Sequence, residues 1–128
     1  MAKKVMVVDD SNAIRQSLVF TLKNAGYDAI EASNGAVALD LMKEHSVGLF
    51  ISDVNMPEMD GFKVLELLKK DYNTISIPVV MLTAVMTDEA KAKSTSLYDE
   101  GYIEKPVTAE ELEREIEKVM RIRDSAKE

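Results

Sequence analysis

Short apolar runs alternate with amphipathic helical patterns along the whole of the 128-residue chain. The runs at residues 5–8, 49–51 and 78–82 are too short for helices and are typical of buried strands. Weaker apolar segments at residues 29–32 and 102–103 complete a set of five predicted strands. Because these strands alternate with helices, we expect a parallel sheet that is covered on both faces, with right-handed crossovers.

Five helices are predicted between and after these strands. The first begins after Ser11 and ends at Gly26, and the second opens at residues 34–35. A polar helix is expected at residues 88–98, and a capping box at residues 108–111 opens the last helix. The apolar faces predicted for the other four helices consist of Ile14, Leu18, Leu22 and Ala25; Leu39 and Met42; Phe62, Leu65 and Leu68; and Leu112, Ile116 and Val119.

Composition excludes several classes of protein. The chain is 46% hydrophobic and 30% charged, as expected of one globular domain, and its lack of cysteine excludes disulfides and thiolate sites. The apolar run near the N-terminus is ended too early by Asp9 and Asp10 to be a signal peptide, and no run could span a membrane. The net charge of −7 disfavours direct contact with nucleic acid, and His45 as the single histidine excludes a multi-histidine metal site. We therefore expect a cytoplasmic protein without membrane insertion.

Polar and charged side chains occur where the predicted strands end. In open sheets of parallel strands, ligand sites form at the carboxyl ends, and these ends carry Asp9, Asp10, Asp53, Thr83 and Lys105. Two carboxylates about 4 Å apart repel by roughly 4 kcal/mol at an effective dielectric constant of 20, so a proton or a cation must enter such a cluster. Oxygen ligands that form an incomplete set suit Mg²⁺ with bound waters. Taken singly, each residue could be a strand-end ion pair or a solvated side chain, but their common edge favours a site.

Four segments of the sequence resemble a known family. They are Asp9-Asp10, "SDVNMPEMDG" at residues 52–61, "MLTA" at residues 81–84 and "YIEKP" at residues 102–106. In order and spacing they resemble the response-regulator receiver domain, in particular its single-domain, chemotaxis-type (CheY-like) members. The resemblance implies one receiver domain over residues 1–128 without an output domain. It also implies a flavodoxin-like α/β fold, in which a doubly wound parallel sheet of strand order 2-1-3-4-5 carries helices on both faces.

The same resemblance implies roles for the acidic residues. Asp53 matches the aspartate that accepts a phosphoryl group. Asp10 and Asp53 match the side-chain ligands of Mg²⁺, for which Mn²⁺ can substitute. Asp9 would act on the metal mainly through water, and Asn55 through its backbone carbonyl.

Four further residues match family positions around the phosphoryl group. Thr83 matches the hydroxyl that turns toward it, and Lys105 matches the lysine that pairs with it. Tyr102 matches the aromatic residue whose rotamer follows the switch, and Pro106 matches a proline that often follows a cis peptide bond. The switch would change an output face formed by the predicted helix at residues 88–98, the fifth strand and the last helix. Near this face the sequence departs from the family, with Val107 where phenylalanine is common and Tyr98-Asp99 where a Gly-Ala pair is common.

The function implied is that of a phospho-accepting response regulator of a two-component system. The donor would be a sensor histidine kinase or a histidine phosphotransfer protein, and the output an unnamed protein target bound by a monomer or a phosphorylation-dependent dimer. The protein would not be an enzyme beyond its own phosphotransfer and autodephosphorylation. The alternative is a receiver fragment of a larger phosphorelay protein or hybrid kinase, because the residues after Arg123 could be a natural tail or a cut linker.

Three other classes fit the sequence less well. A Mg²⁺-dependent aspartyl-phosphate phosphatase of the haloacid-dehalogenase type needs a second acid two residues after its nucleophile, where this chain has Asn55. A flavodoxin-like redox carrier would place a phosphate beside Asp9 and Asp10. A P-loop enzyme would need a G-x-x-x-x-G-K-[ST] motif, which the sequence lacks.

Overall fold

Five strands form one parallel sheet of order β2-β1-β3-β4-β5. The computed structural model describes residues 4–56, 59–83 and 101–127, apart from the side chains of Tyr102 and residues 122–127. The predicted strand order and parallel pairing are confirmed. Four strands extend the predicted apolar runs by one residue or more, and the fourth is shifted by one residue, from 78–82 to 79–83. The strands are β1 (Lys4–Val8), β2 (Asp28–Ala32), β3 (Leu49–Asp53), β4 (Val79–Thr83) and β5 (Gly101–Glu104).

Four helices are described, and each follows a strand as expected. The predicted helix at residues 88–98 lies outside the described residues. Of the helices that the structure does describe, none combines the length and the apolar content needed to cross a bilayer. The helices are α1 (Asn12–Asn24), α2 (Gly35–Met42), α3 (Gly61–Lys70) and α4 (Ala109–Lys127).

The sheet separates two apolar clusters because successive side chains on a strand point to opposite faces. The helices α1 and α4 cover one face, and α2 and α3 cover the other, which confirms the doubly wound architecture. The first cluster includes Val5, Val7, Leu18, Leu22, Leu49, Ile51, Val80, Leu82, Ile103, Leu112, Ile116 and Val119. The second includes Met6, Val8, Ala38, Phe50, Val54, Phe62, Val64, Leu65, Leu68, Val79 and Met81.

Side-chain caps fix where three helices begin. Ser11, Asn34 and Asp60 are the N-caps of α1, α2 and α3, and each accepts a hydrogen bond from the backbone N–H three residues later. Gly26, with φ of 94°, follows the cap that ends α1. The prediction that Ala25 lies on the buried face of α1 is wrong, because the helix ends at Asn24 and leaves Ala25 exposed as its C-cap.

The capping box at the start of α4 differs from its usual form. The hydroxyl of Thr108 accepts a hydrogen bond from the backbone N–H of Glu111 at 3.1 Å, as predicted. The same hydroxyl donates to the Glu111 carboxylate at 3.1 Å, whereas the usual box directs that carboxylate to the backbone N–H of the cap. The predicted start of the helix is confirmed, and the buried stripe of α4 lies where the sequence placed it.

Candidate functional site

The strand register brings the predicted site residues to one edge of the sheet. Val8 of β1 pairs with Ser52 of β3, so Asp9 follows next to Asp53. Asp53 pairs with Leu82 of β4, one residue before Thr83. Asp9 and Asp53 are buried, whereas Asp10 is exposed at the rim. The carboxyl edge of the sheet therefore holds two buried carboxylates with a third beside them.

Lys105 joins the two buried carboxylates. Its ammonium nitrogen lies 3.1 Å from Oδ2 of Asp9 and 3.2 Å from Oδ1 of Asp53, and its side chain is 17% exposed. The backbone N–H of Lys105 donates to the carbonyl of Thr83 at 2.6 Å, which continues the β4–β5 pairing past Glu104. The structure thus brings Asp9, Asp53 and Lys105 together, as the sequence predicted.

Burial and the charges of this cluster shift the pKa of Asp53 and of Lys105. Burial, followed by the charge of Asp9, raises the pKa of Asp53, and the opposing effects of Lys105 and of the Asn55 N–H do not cancel that rise. Burial on its own would lower the pKa of Lys105. The hydrogen bond to Asp9 and the charges of Asp53 and Asp9 outweigh it, so the pKa of Lys105 is raised. The site without metal therefore favours a charged lysine and disfavours a fully ionised Asp53.

Local backbone donors orient the two buried carboxylates. Oδ1 of Asp9 accepts from the Ser11 N–H at 2.9 Å, and Oδ1 of Asp53 accepts from the Asn55 N–H at 3.3 Å. Among residues 4–56, 59–83 and 101–127, the recorded polar contacts of the Asp53 carboxylate all involve Oδ1.

The three carboxylates fit a hard divalent cation. Asp9, Asp10 and Asp53 can each offer one oxygen, and these three oxygens lie within 4.8 Å of one another. The donors are all carboxylate oxygens, which suit Mg²⁺ better than soft metals. Burial is the larger cause of the raised pKa of Asp53 and the charge of Asp9 is the second, and a divalent cation would favour the ionised carboxylate against both.

Four more residues were assigned to the site by the resemblance, namely Thr83, Asn55, Pro106 and Tyr102. Thr83 is buried at the end of β4, and Asn55 is exposed with its backbone N–H directed to Asp53. The Lys105–Pro106 peptide bond is cis, in agreement with the resemblance. The side chain of Tyr102, like Tyr98 and Asp99, lies outside the described residues. The roles of these residues are predictions that the geometry does not test.

Gly61 allows α3 to start against the site. A Cβ atom at this position would overlap the backbone carbonyl of Asp53 and would lie 2.8 Å from the Met81 methyl and 2.9 Å from the Val54 Cα. The Gly61 N–H donates to the Val54 carbonyl at 2.8 Å, which holds the helix start in this position. Gly61 belongs to the segment at residues 52–61 that resembles the family, and its role, which the sequence did not predict, is close packing.

Arg15 contacts the site and was missed by the sequence analysis. Its guanidinium donates to the backbone carbonyl of Asp9 at 2.8 Å. The position of Arg15 is itself a signal in the sequence. A cation close to a helix N-terminus opposes the helix dipole, so an arginine there indicates a compensating contact. Helical side chains also lean toward the N-terminus, so Arg15 can reach back to the end of β1.

Comparison with known proteins identifies the family. The family model of the response regulator receiver domain matches residues 5–117. This match covers most of the chain, and the chain belongs to the response regulator receiver domain family. The fold and the acidic edge described above are those of a receiver domain of a two-component response regulator.

Two curated relatives carry the name probable transcriptional regulator ycf27. The protein of Porphyridium aerugineum is 36% identical over 124 residues, which cover 97% of this chain and 50% of the relative. The protein of Cyanidium caldarium is 37% identical over 117 residues, which cover 91% of this chain and 46% of the relative. The chain therefore spans about half the length of these relatives.

Solved structures that share this fold include a chemotaxis protein and a receiver domain of a histidine kinase. Chemotaxis protein CheY4 of Vibrio cholerae is 34% identical with a TM-score of 0.88, over 93% of this chain and 99% of that one. The signal receiver domain of a signal transduction histidine kinase from Syntrophus aciditrophicus is 28% identical with a TM-score of 0.84. That match covers 94% of this chain and 91% of the other.

Proposed function

We propose that the chain acts as the phospho-accepting element of a two-component system and that Asp53 receives the phosphoryl group in a Mg²⁺-dependent reaction. The observation that carries the proposal is the setting of Asp53. Asp53 is 4% exposed at the end of β3, and its carboxylate lies 3.2 Å from the Lys105 ammonium and can share a cation with Asp9 and Asp10. The buried carboxylate of Asp53 therefore has Lys105 as a cationic partner and a candidate cation site beside it.

The donor in this proposal is the phosphohistidine of a sensor histidine kinase or of a histidine phosphotransfer protein. A carboxylate oxygen of Asp53 attacks phosphorus as the P–N bond to the donor imidazole breaks. The electron pair of that bond goes to the imidazole nitrogen, which takes up a proton, and Asp53 becomes an acyl phosphate. Such transfers depend on in-line positioning and on neutralisation of the phosphoryl oxygens rather than on elaborate covalent chemistry.

Positive charge at the edge of the sheet supports the transfer. Lys105 lies close enough to Asp53 to pair with a phosphoryl oxygen once the group is attached. Asp9, Asp10 and Asp53, with the backbone carbonyl of Asn55, would hold Mg²⁺ or Mn²⁺. When bound, the metal neutralises phosphoryl oxygens and lowers the repulsion among the carboxylates.

The phosphoryl group leaves by hydrolysis at the same site. Water attacks phosphorus, the P–O bond to Asp53 breaks, and inorganic phosphate departs with the carboxylate restored. The chain turns over no separate substrate in this scheme, so its role is signalling rather than enzymatic. Its net charge of −7 favours a protein target over direct contact with nucleic acid, and the cytoplasm is where its kinase partners would present phosphohistidine.

Output would follow from the charge that the phosphoryl group adds. Phosphorylation contributes about −1.5 to −2 charges and three strong acceptor oxygens. Thr83 is buried next to Lys105 and supplies the hydroxyl that would turn toward these oxygens. Tyr102 would then follow, and the surface of β5, α4 and the predicted helix at residues 88–98 would change for a protein target.

A second candidate is the same reaction within a longer regulator. The ycf27 relatives of Porphyridium aerugineum and Cyanidium caldarium favour it, because this chain covers 50% and 46% of them. The CheY4 match, which covers 99% of that chain, favours a stand-alone receiver instead. The mass of the native protein, measured after immunoprecipitation from its source, distinguishes the two.

The test of the proposed reaction uses a small phosphodonor such as acetyl phosphate. Wild-type protein with Mg²⁺ should gain one acid-labile phosphoryl group, visible by intact-mass spectrometry, and a chelator should prevent it. Asp53→Asn should abolish labelling, whereas Asp40→Asn should leave it unchanged, because Asp40 is an exposed aspartate on α2 with a 79% exposed side chain. Undiminished labelling of the Asp53→Asn protein would remove Asp53 from the role.

A further inference from the structure

The backbone of Asp9 lies just past the end of the β1–β2 ladder. The last paired residues of the two strands are Val8 and Ala32, and the Asp9 N–H still donates to the Ala32 carbonyl at 3.3 Å. In a parallel ladder the N–H and C=O of one residue point toward the same neighbouring strand. The Asp9 carbonyl therefore points toward a stretch where β2 has already ended, and because Asp9 is buried this carbonyl needs a donor.

Arg15 supplies that donor and is itself held in place. Its Nη1 donates to the Asp9 carbonyl at 2.8 Å, and its Nε donates to Oε1 of Glu31 on β2 at 3.1 Å. Its Nη2 donates to the side-chain carbonyl of Asn12. The Arg15 side chain is only 12% exposed, whereas that of Glu31 is 43% exposed. The planar guanidinium thus joins the end of β1, the edge strand β2 and the first turn of α1.

We infer that Arg15 is a positioning residue for the divalent-cation site, acting through the backbone of Asp9. The inference rests on the proposed function, because it assigns Arg15 to the Mg²⁺ site described there. A hydrogen bond to the Asp9 carbonyl fixes the peptide plane between Asp9 and Asp10. One contact therefore orients both residues, of which one is buried against Lys105 and the other lies at the rim.

Charge and geometry predict opposite effects for the loss of Arg15. A guanidinium close to a cation site repels the cation, so removal of its charge alone would strengthen Mg²⁺ binding. Loss of its hydrogen bond to Asp9 frees the peptide that carries two of the ligands, which weakens binding. Residues that orient metal ligands typically change metal affinity by about 10- to 100-fold when they are replaced. Because the two effects differ in sign, the direction of the change identifies the role.

The experiment measures the Mg²⁺ dissociation constant by calorimetric titration, for wild type, for Arg15→Met and for Arg15→Lys. Arg121→Met serves as the matched control, because Arg121 is 78% exposed on α4 and pairs only loosely with Glu117 at 3.8 Å. We expect Arg15→Met to bind Mg²⁺ about tenfold more weakly. Arg15→Lys should also bind more weakly, since one ammonium cannot reproduce the three-way contact. Arg121→Met should bind like wild type.

Labelling with acetyl phosphate supplies a second readout. The labelling rate of Arg15→Met should be low at limiting Mg²⁺ and should approach the wild-type rate at saturating Mg²⁺. A purely structural role would lower stability in urea without this dependence on Mg²⁺. If Arg15→Met fails to fold by circular dichroism, Arg15→Lys gives the answer, because it keeps the positive charge, so that weaker Mg²⁺ binding supports the inference and full affinity contradicts it.

The experiments distinguish failure of the positioning role of Arg15 from failure of the proposed function. Unchanged or tighter Mg²⁺ binding by folded Arg15→Met, or full affinity in Arg15→Lys, overturns the positioning role while the proposed function stands. An equal loss of affinity in Arg121→Met also overturns it, because the loss would then not depend on the contact between Arg15 and the Asp9 carbonyl. Absence of Mg²⁺ binding by the wild-type protein overturns the proposed function and the positioning role together.

Discussion

The ammonium of Lys105 lies between Asp9 and Asp53, at 3.1 Å from one carboxylate and 3.2 Å from the other. Both carboxylates are buried, so this single cation offsets two charges that water cannot reach well. The arrangement makes Lys105 the main source of charge compensation among the described residues before any metal binds.

Replacement of Lys105 by methionine should destabilise the metal-free protein. Removal of one partner of a buried ion pair leaves the other charge uncompensated, and we expect a loss of about 3 kcal/mol. Saturating Mg²⁺ should recover part of this loss, since a ligand bound only by the folded state stabilises it. Urea unfolding with a chelator and with Mg²⁺ measures both effects. Lys118→Met, at a 54% exposed lysine, is the control, and an equal loss in the two variants would contradict the prediction.

The stability of the metal-free protein should depend on pH through Asp53. Its folded pKa is raised, so between its ordinary and raised pKa values the folded state binds more protons than the unfolded state. Stability should therefore fall as pH rises through that window and become level above it. Asp53→Asn should remove this fall, and Mg²⁺ should reduce it, because the metal favours the ionised carboxylate.

Urea unfolding as a function of pH measures the effect. Asp40→Asn, at an exposed position on α2, should keep the wild-type pH profile. A profile of Asp53→Asn that matches wild type across the acidic range would show that another group controls this dependence.

Gly61→Ala should disturb the site as well as the fold. The added methyl group would overlap the Asp53 carbonyl, and overpacking of this kind costs about 1–3 kcal/mol. Because the displaced atoms belong to Asp53 itself, labelling with acetyl phosphate should also slow. Gly26→Ala is the matched comparison, since it strains a positive φ with nothing within 4 Å and lies away from the site. That variant should lose stability in urea but keep the wild-type labelling rate, and slowed labelling in it would contradict the local explanation.

Thr83→Ala should separate phosphorylation from output. The variant should still be labelled on Asp53, because the hydroxyl does not contribute the attacking oxygen. It should not transmit phosphorylation to the surface of β5 and α4, since no hydroxyl remains to turn toward the phosphoryl group. Amide exchange with and without beryllium trifluoride, a mimic of the acyl phosphate, measures the response. Thr83→Ser should respond like wild type, and changes confined to the loop after Asp53 in wild type would contradict the proposed switch.

The sequence predicted the parts of this molecule that depend on strand ends and hydrophobic periodicity. Asp9, Asp53 and Lys105 could be grouped without coordinates, because parallel strands bring their carboxyl ends to one edge whatever the details of packing. The stripe of Leu112, Ile116 and Val119 followed from helical period alone, and all three side chains are buried.

The features that the sequence did not predict depend on the rotation of a helix about its axis and on the exact residue where a helix ends. Arg15 reaches the Asp9 carbonyl only because α1 is rotated so that this side chain leans over the end of β1. Ala25 fits the apolar period of α1, but the helix ends one residue earlier. The second half of the capping box depends on which donor the Glu111 carboxylate chooses, and residue type does not decide that choice.

The pairing of Lys105 with Asp9 joins positions 96 residues apart in the chain. Contacts of such long sequence separation form late in folding, because the entropy of closing the intervening loop must be overcome first. During synthesis, Asp9 and Asp53 leave the ribosome before Lys105 does. The two aspartates then share an edge with no ammonium between them until β5 docks beside β4. A nascent chain can therefore acquire its charge-balanced edge only after Lys105 has been synthesised, which ties the proposed phosphoryl-acceptor site to completion of the sheet.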